Sequence, residues 1–252
     1  MEINWKSERE EAYGFLYRGI FKRKIKGAII DIGSGYGRFL SEFKEKRWEV
    51  LGTDISKDVS KFSKSVFGIK VNIGDFATMK LPEKHFDVVS MNGVMEHIYN
   101  PSKTLRKIKK VLKDDGILVV VIPNIESLGY LIHQKDWYHL QPGRHIYQFS
   151  PKTITRLLID NGFVVDELSH AYRAHNYFSL FENIKYRFSP KFRTKKEGGA
   201  LLGDVDKVLI KSPFSIKNEM GKIIAGIYAL VVSIIEPLIS RGEVITVYAR
   251  KS

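Results

Sequence analysis

Cysteine is absent from all 252 residues. That excludes disulfides, thiolate metal sites, cysteine-held iron–sulfur clusters and covalent catalysis through a sulfur nucleophile. An apolar N-terminal segment of the signal type is also lacking: MEINWKSEREEAYGF mixes charge with aromatics, so no secretory leader is read and a cytoplasmic location is expected. Acidic residues are few, 28 against 41 Lys and Arg, and the formal charge of +13 draws the chain toward polyanions without deciding its fold. The apolar stretch GKIIAGIYALVVSIIEPLIS, residues 221–240, has only 13 uncharged residues from Ile223 to Ile235. A helix of that length spans about 20 Å against roughly 30 Å of bilayer hydrocarbon, too little to cross comfortably. No ligand-spaced cluster of histidines or carboxylates is legible, so no metal site is expected.

What is present is an alternation of apolar runs and amphipathic segments. Strands are predicted at 28–32, 49–53, 69–73, 86–90, 116–122, 163–169 and 243–249, with helices after the first, second, fourth and fifth. A helical lead-in over 5–24 carries Trp5, Phe15, Leu16, Ile20 and Phe21. This order argues an α/β domain, a largely parallel sheet with helices on both faces, and 252 residues suffice for one such core.

The stretch GAIIDIGSGYGRFL, residues 27–40, concentrates the chemistry. Ala28, Ile29, Ile30 and Ile32 suit a strand buried on both faces, Gly33, Gly35 and Gly37 alternate with Ser34 and Tyr36 in a turn, and Phe39, Leu40 and Phe43 recur at helical spacing. Strand, glycine turn and helix present free backbone amides to a nucleotide. Asp54, closing the second strand, can accept both hydroxyls of a ribose. Dinucleotide folds use G-x-G-x-x-G beneath a pyrophosphate. Here the spacing is G-x-G-x-G with Asp31 before it, and a carboxylate there suits a ligand bearing an ammonium and a sulfonium.

This passage resembles the cofactor motif of class I S-adenosylmethionine-dependent methyltransferases, and three further segments fall in register with it. Gly74-Asp75-Phe76 looks like the acidic turn that contacts the adenine amino group. MNGVMEHIYNP, residues 91–101, resembles the family's V-L-E-H-x-x-D/N-P segment. RHIYQFSPKTITRLLIDNGFVVDEL, residues 144–168, is similar to the type 11/type 23 branch that includes ubiquinone-biosynthesis O-methyltransferases and glycan-modifying methyltransferases. The resemblance implies a Rossmann-like, seven-stranded, mostly parallel sheet whose last strand enters antiparallel beside the sixth. It implies S-adenosylmethionine as cofactor and S-adenosylhomocysteine as product. The implied cofactor-binding residues are Asp31, Gly33, Ser34, Gly35, Tyr36, Gly37, Asp54, Ile55, Asp75, Phe76, Asn92, Gly93, Glu96 and His97. Without cysteine, the chemistry left is direct in-line displacement at the sulfonium methyl. Residues 1–26 form the lead-in, 27–170 the cofactor-binding core, 171–242 an insertion and 243–252 the final core strand.

A hydroxyl acceptor must lose its proton, and a histidine near neutral pKa suits that work. His145, His97 and His139 are the candidates, because they follow the fourth and fifth strands where open α/β sheets bind ligands. Trp137, Tyr138 and Tyr147 stand beside them and suit either lid packing or stacking on an acceptor. The insertion departs from the minimal family pattern. KYRFSPKFRTKK, residues 185–196, has six basic and no acidic residues and suits an anion, and the apolar 221–240 stretch suits burial as a lid, a homodimer contact or a peripheral membrane contact at the inner face. The expected function is O-methylation of a small-molecule, glycan or lipid-linked acceptor. The alternatives are an RNA methyltransferase, favoured by charge but lacking the N/D-P-P-Y/F signature, and a non-catalytic S-adenosylmethionine-binding scaffold.

Overall fold

The computed structural model describes residues 5–170 and 238–252, together with 223, 226, 227, 230–232, 234 and 235. The basic run 185–196 and most of the insertion lie outside the described residues. The elements run α1 Trp5–Phe21, β1 Ala28–Ile32, α2 Arg38–Glu45, β2 Glu49–Asp54, α3 Lys57–Phe67, β3 Val71–Ile73, β4 Phe86–Asn92, α4 Pro101–Val111, β5 Leu112–Pro123, α5 Leu128–His133, α6 Pro151–Asp160, β6 Phe163–Ser169 and β7 Val244–Lys251. They form one seven-stranded sheet of order β3-β2-β1-β4-β5-β7-β6. The pairs from β3 to β5 are parallel, and β7 inserts antiparallel to both β5 and β6. The expected antiparallel last strand is therefore present, and it separates β6 from the parallel block.

The two faces of the sheet explain the strand sequences. Side chains alternate along a strand, so Ala28, Ile30 and Ile32 of β1 join Val89, Leu118, Ile245 and Val247 on one face, with Leu105 and Ile108 of α4 and Ile154 and Leu158 of α6 over them. Ile29 joins Val88, Val119, Val121 and Tyr248 on the other, covered by Leu16, Tyr17 and Ile20 of α1 and by Phe39, Leu40 and Phe43 of α2. Both faces being covered, every position of β1 is buried. The N-terminal helix is thus an integral layer of the core. Local caps set the helix starts: Asn100 accepts from the Lys103 amide at 2.9 Å ahead of Pro101, and Ser150 and Thr153 form a capping box ahead of Pro151.

Strand β5 departs from the sequence expectation. KDDG after Leu112 reads as a helix end with a glycine stop, yet the chain is already extended at Leu112, which pairs with Phe86, and pairing resumes at Ile117 opposite Val88. Residues 113–116 are the surplus of an irregular register. Their charges find partners across the domain: Lys113 with Asp87 at 2.9 Å, Asp114 with Lys84 at 2.8 Å and Lys251 at 3.2 Å, and Asp115 with Lys24 at 2.6 Å. Asp87 matters most because it is buried, and its Oδ2 also accepts the Ala28 amide at 2.8 Å, joining the start of β1 to β4. Asp87→Ala is expected to leave that buried amide unsatisfied and destabilise the domain by about 1–3 kcal/mol in urea unfolding. Asp114→Ala, whose pairs are exposed, should leave the urea midpoint close to that of wild type.

Candidate functional site

The glycine turn follows β1 at the carboxyl end of the sheet. Gly33 and Gly35 sit at φ 70° and 50°, in the left-handed region that favours glycine, and Gly37 continues the pattern at 81°. A Cβ on Gly33 would lie 2.5 Å from Val94 Cγ2, so the turn is pressed against the segment that follows β4. A Cβ on Gly35 would meet nothing within 4 Å. The backbone is closely backed at Gly33 and open at Gly35, as a ligand cradle requires. Gly33 and Ser34 amides donate to the Thr53 carbonyl at 2.7 and 2.9 Å, binding the turn to β2, while buried Ser34 packs against Gly52. Tyr36 rests on Phe62 of α3 with ring centroids 4.7 Å apart.

Two carboxylates flank the turn in different surroundings. Asp54, half-exposed, accepts the Gly35 amide on Oδ2 at 3.0 Å and the Ser56 amide on Oδ1 at 2.9 Å. Each oxygen retains acceptor capacity, so the ribose role assigned to Asp54 is sterically and chemically open. Asp31 is buried and accepts from the Ser90 hydroxyl at 2.6 Å. Burial pushes its carboxyl from 3.8 up to about 7, the Ser90 hydrogen bond partly opposing and the Asp54 charge adding to the rise. Beyond Asp54, Ile55 is 75% exposed at the mouth of the turn. Asp75 is exposed and holds the Ala77 amide at 2.9 Å, whereas the Phe76 ring is 4% exposed and belongs to the core, leaving Asp75 as the side chain presented there. Asn92 is half-buried at the end of β4, and Gly93 turns at φ 65° with its amide on the Val121 carbonyl at 2.9 Å.

Immediately after Gly93 the chain makes a 3₁₀ turn, Met95–His97, and there the structure joins residues far apart in sequence. The Glu96 carbonyl accepts the amides of Ile146 and Tyr147 at 2.8 and 3.2 Å. His97 Nδ1 pairs with the Arg144 carbonyl at 2.8 Å, and the His97 and His145 rings meet edge to face with centroids 4.7 Å apart. Glu96, His97 and His145 each bring a ligating atom within 4.8 Å of the others. The Glu96 side chain is 3% exposed, and its Oε2 has no hydrogen-bond partner. Burial pushes the Glu96 carboxyl from 4.5 up to about 8, and it lowers His97, the Arg144 carbonyl opposing. The expectation of no ligand cluster thus rested on linear spacing, which a contact across 48 residues defeats.

His139 lies apart from this cluster. It is buried, edge-on to Trp137 and Tyr138 at 5.3 and 5.0 Å, in the packing of the segment after β5. That segment is fastened to the chain entering β7: Trp137 Nε1 donates to buried Glu243 at 2.7 Å, the Asn124 amide to the Glu243 carbonyl at 2.9 Å, and the Leu128 amide to the Arg241 carbonyl at 3.0 Å. Ser90, the Arg144 carbonyl and Glu243 were not legible as site residues, being 59, 47 and 106 residues from their partners. In the apolar stretch, burial within the chain holds only at Val232 among the described positions. The large apolar side chains described in the remainder are exposed, from Ile235 at 41% to Leu238 at 77%. A helix apolar all round cannot cover every face against one neighbour. Among the described residues no helix is long and apolar enough to cross a membrane.

Asp31 makes stability pH-dependent with a definite sign. Its folded pKa exceeds the unfolded value, so its contribution is complete below about 3.8, falls as pH rises and is gone above about 7. Between pH 5 and pH 8, wild-type protein is expected to lose about 3 kcal/mol more unfolding free energy than Asp31→Asn, as read from urea titrations. An identical pH dependence in the two proteins would contradict the burial of an ionisable group there.

Known proteins are similar to this chain. The methyltransferase-domain family profile matches residues 6–168. An uncharacterized protein of Methanocaldococcus jannaschii is 33% identical over 132 residues, 52% of this chain and 62% of that protein. A Mycobacterium tuberculosis protein named as a probable S-adenosylmethionine-dependent methyltransferase is 27% identical over 140 residues, 52% and 46% of the two chains. The chain thus spans about half to three-fifths of these curated relatives. A solved S-adenosylmethionine-dependent methyltransferase from Archaeoglobus fulgidus, 23% identical, shares the fold at a TM-score of 0.60 over 96% of this chain and 94% of its own. With the profile covering more than half of the chain, the cofactor turn formed and β7 in its antiparallel place, this chain belongs to the class I S-adenosylmethionine-dependent methyltransferases, in the type 11/type 23 branch.

Proposed function

We propose that this protein transfers the methyl group of S-adenosylmethionine to a hydroxyl of a small, sugar-containing or lipid-linked acceptor. The observation that supports the reading is the Glu96–His97–His145 cluster, which stands one short turn beyond β4 while Val94 of that turn touches Gly33 of the cofactor cradle. An acceptor between cradle and cluster meets the donor methyl on one side and groups able to activate its hydroxyl on the other. The exposed rim is aromatic and aliphatic: Tyr99, Ile146 and Tyr147 face outward, and Tyr147 donates its hydroxyl to the Tyr99 carbonyl at 3.2 Å. Such a rim suits stacking on a sugar or contact with a lipid-linked group better than a bare phosphate backbone.

The residues divide the work. Gly35 and Asp54 hold the cofactor's polar end, with Asp54 available to the ribose. Asp31 sits where the ammonium of the cofactor would stabilise its ionised form. His145 and His97 face the acceptor, and positioning with exclusion of water accounts for much of the rate in a displacement of this kind.

S-adenosylhomocysteine binding to wild-type protein by calorimetry is the primary test, and no binding would end the proposal. Asp54→Ala should weaken that binding about tenfold or more, because it removes a ribose partner and frees the Gly35 amide. His145→Ala should retain cofactor affinity within about threefold while turnover falls roughly 10²–10⁴-fold. With labelled S-adenosylmethionine and fractionated lipids, glycans and RNA as acceptors, the label is expected in an O-methyl ether. Label on an RNA base or an amine nitrogen would replace this reading with another.

A further inference from the structure

Three features of the cluster after β4 go beyond a general-base histidine. The first is an unmatched buried carboxylate oxygen. Glu96 Oε2 has no hydrogen-bond partner in a side chain that is 3% exposed, and leaving such an acceptor dry is costly unless something absent from the protein meets it. The second is ring orientation. With Nδ1 of His97 donating to the Arg144 carbonyl at 2.8 Å, Nε2 of His97 carries the lone pair, which is how a second hydrogen bond prepares a metal-ligating imidazole. The third is convergence: one carboxylate oxygen and two imidazole nitrogens lie within 4.8 Å of one another, and two backbone hydrogen bonds to the Glu96 carbonyl hold the segment bearing His145 in place.

We propose that Glu96, His97 and His145 form a binding site for a first-row divalent cation of the zinc class, which activates the acceptor hydroxyl. Two imidazoles and one carboxylate favour Zn²⁺, Co²⁺, Fe²⁺ or Mn²⁺ over the all-oxygen preference of Mg²⁺ and Ca²⁺. Three protein ligands leave an open position for substrate. Two ligand atoms on a tetrahedral zinc lie about 3.4 Å apart, so the side chains rotate inward by about an ångström on binding. The acceptor oxygen occupies the open position and its O–H bond breaks, the proton passing to solvent. The O–CH₃ bond then forms as the CH₃–S bond breaks, and the bonding pair remains on sulfur as the neutral thioether. No oxidant or reductant is required.

This inference rests on the cluster being the acceptor-activating site, and its test reads the metal independently of turnover. Tag-free, chelator-stripped protein titrated with CoCl₂ is expected to develop a visible d–d band that saturates at one equivalent and is displaced by ZnCl₂. His145→Ala and Glu96→Gln should weaken cobalt binding about tenfold or more. His85→Ala, at the opposite end of β4 and paired with Glu49, should titrate like wild type. Circular dichroism melts separate ligand loss from unfolding, and His145→Gln serves if the alanine variant does not fold. No stoichiometric band in wild type, or an unchanged band in a folded His145 variant, overturns the metal site. Protein that binds S-adenosylhomocysteine but not cobalt removes the metal and leaves methyl transfer standing; protein that binds cobalt but not S-adenosylhomocysteine supports the metal site and removes methyl transfer.

Discussion

The register of β1 against β4 is the constraint on which the site depends. Asp31 stands opposite Ser90 and Ile32 opposite Met91, so the chain leaves both strands at the same level of the sheet. The glycine turn after β1 and the turn after β4 therefore emerge side by side, close enough that Gly33 has no room for a side chain beside Val94. The same register gives the buried Asp31 carboxyl a short side-chain hydrogen bond from Ser90 at 2.6 Å. A slip of one residue would turn Asp31 to the other face of the sheet and remove its partner, which is why a register with both faces buried is strongly specified. Asp87 supports it from the other end, holding the Ala28 amide at the start of β1.

The side carrying Glu96, His97 and His145 is built differently, by backbone hydrogen bonds between distant segments. The Glu96 carbonyl holds Ile146 and Tyr147, and the Arg144 carbonyl holds His97. Glu243, entering β7, holds both the Asn124 amide and the Trp137 indole. Because these anchors are largely main-chain groups, they hold the segment in place without depending on its side chains. The position of β7 between β5 and β6 also places the end of the insertion at this side of the molecule. The described apolar residues between 223 and 238, most of them exposed, belong to the same polypeptide connection that supports the segment after β5.

Legibility followed the range of the interactions. The strand at 28–32 is an uninterrupted apolar run apart from Asp31, and the structure places β1 at Ala28–Ile32. The alternation in EVITVYARK and its place at the end of the chain match the antiparallel β7. At β5 the reading stopped short, because Lys113-Asp114-Asp115-Gly116 has the local chemistry of a helix end while its charges are matched by Asp87, Lys84, Lys251 and Lys24 from three other parts of the chain. Phe76 looked like part of the acidic turn's ligand surface, yet its ring is taken by the core beneath the sheet. Glu96 and His97 were legible as a motif, and His145 as a separate candidate, with nothing in the spacing to say that their ligating atoms converge.

By itself the sequence determined the α/β order, the left-handed glycines of the turn, the carboxylates that flank it and, through the absence of cysteine, the exclusion of thiolate chemistry. Those properties reside in single residues or in short windows governed by backbone sterics and burial. Tertiary structure decided that Asp31 is buried and Asp54 half-exposed, that Glu96 carries a dry oxygen, and that His145 rather than His139 stands against His97. Desolvation and ring contact depend on which distant segments the folded sheet brings together, and that information exists only once the chain has closed.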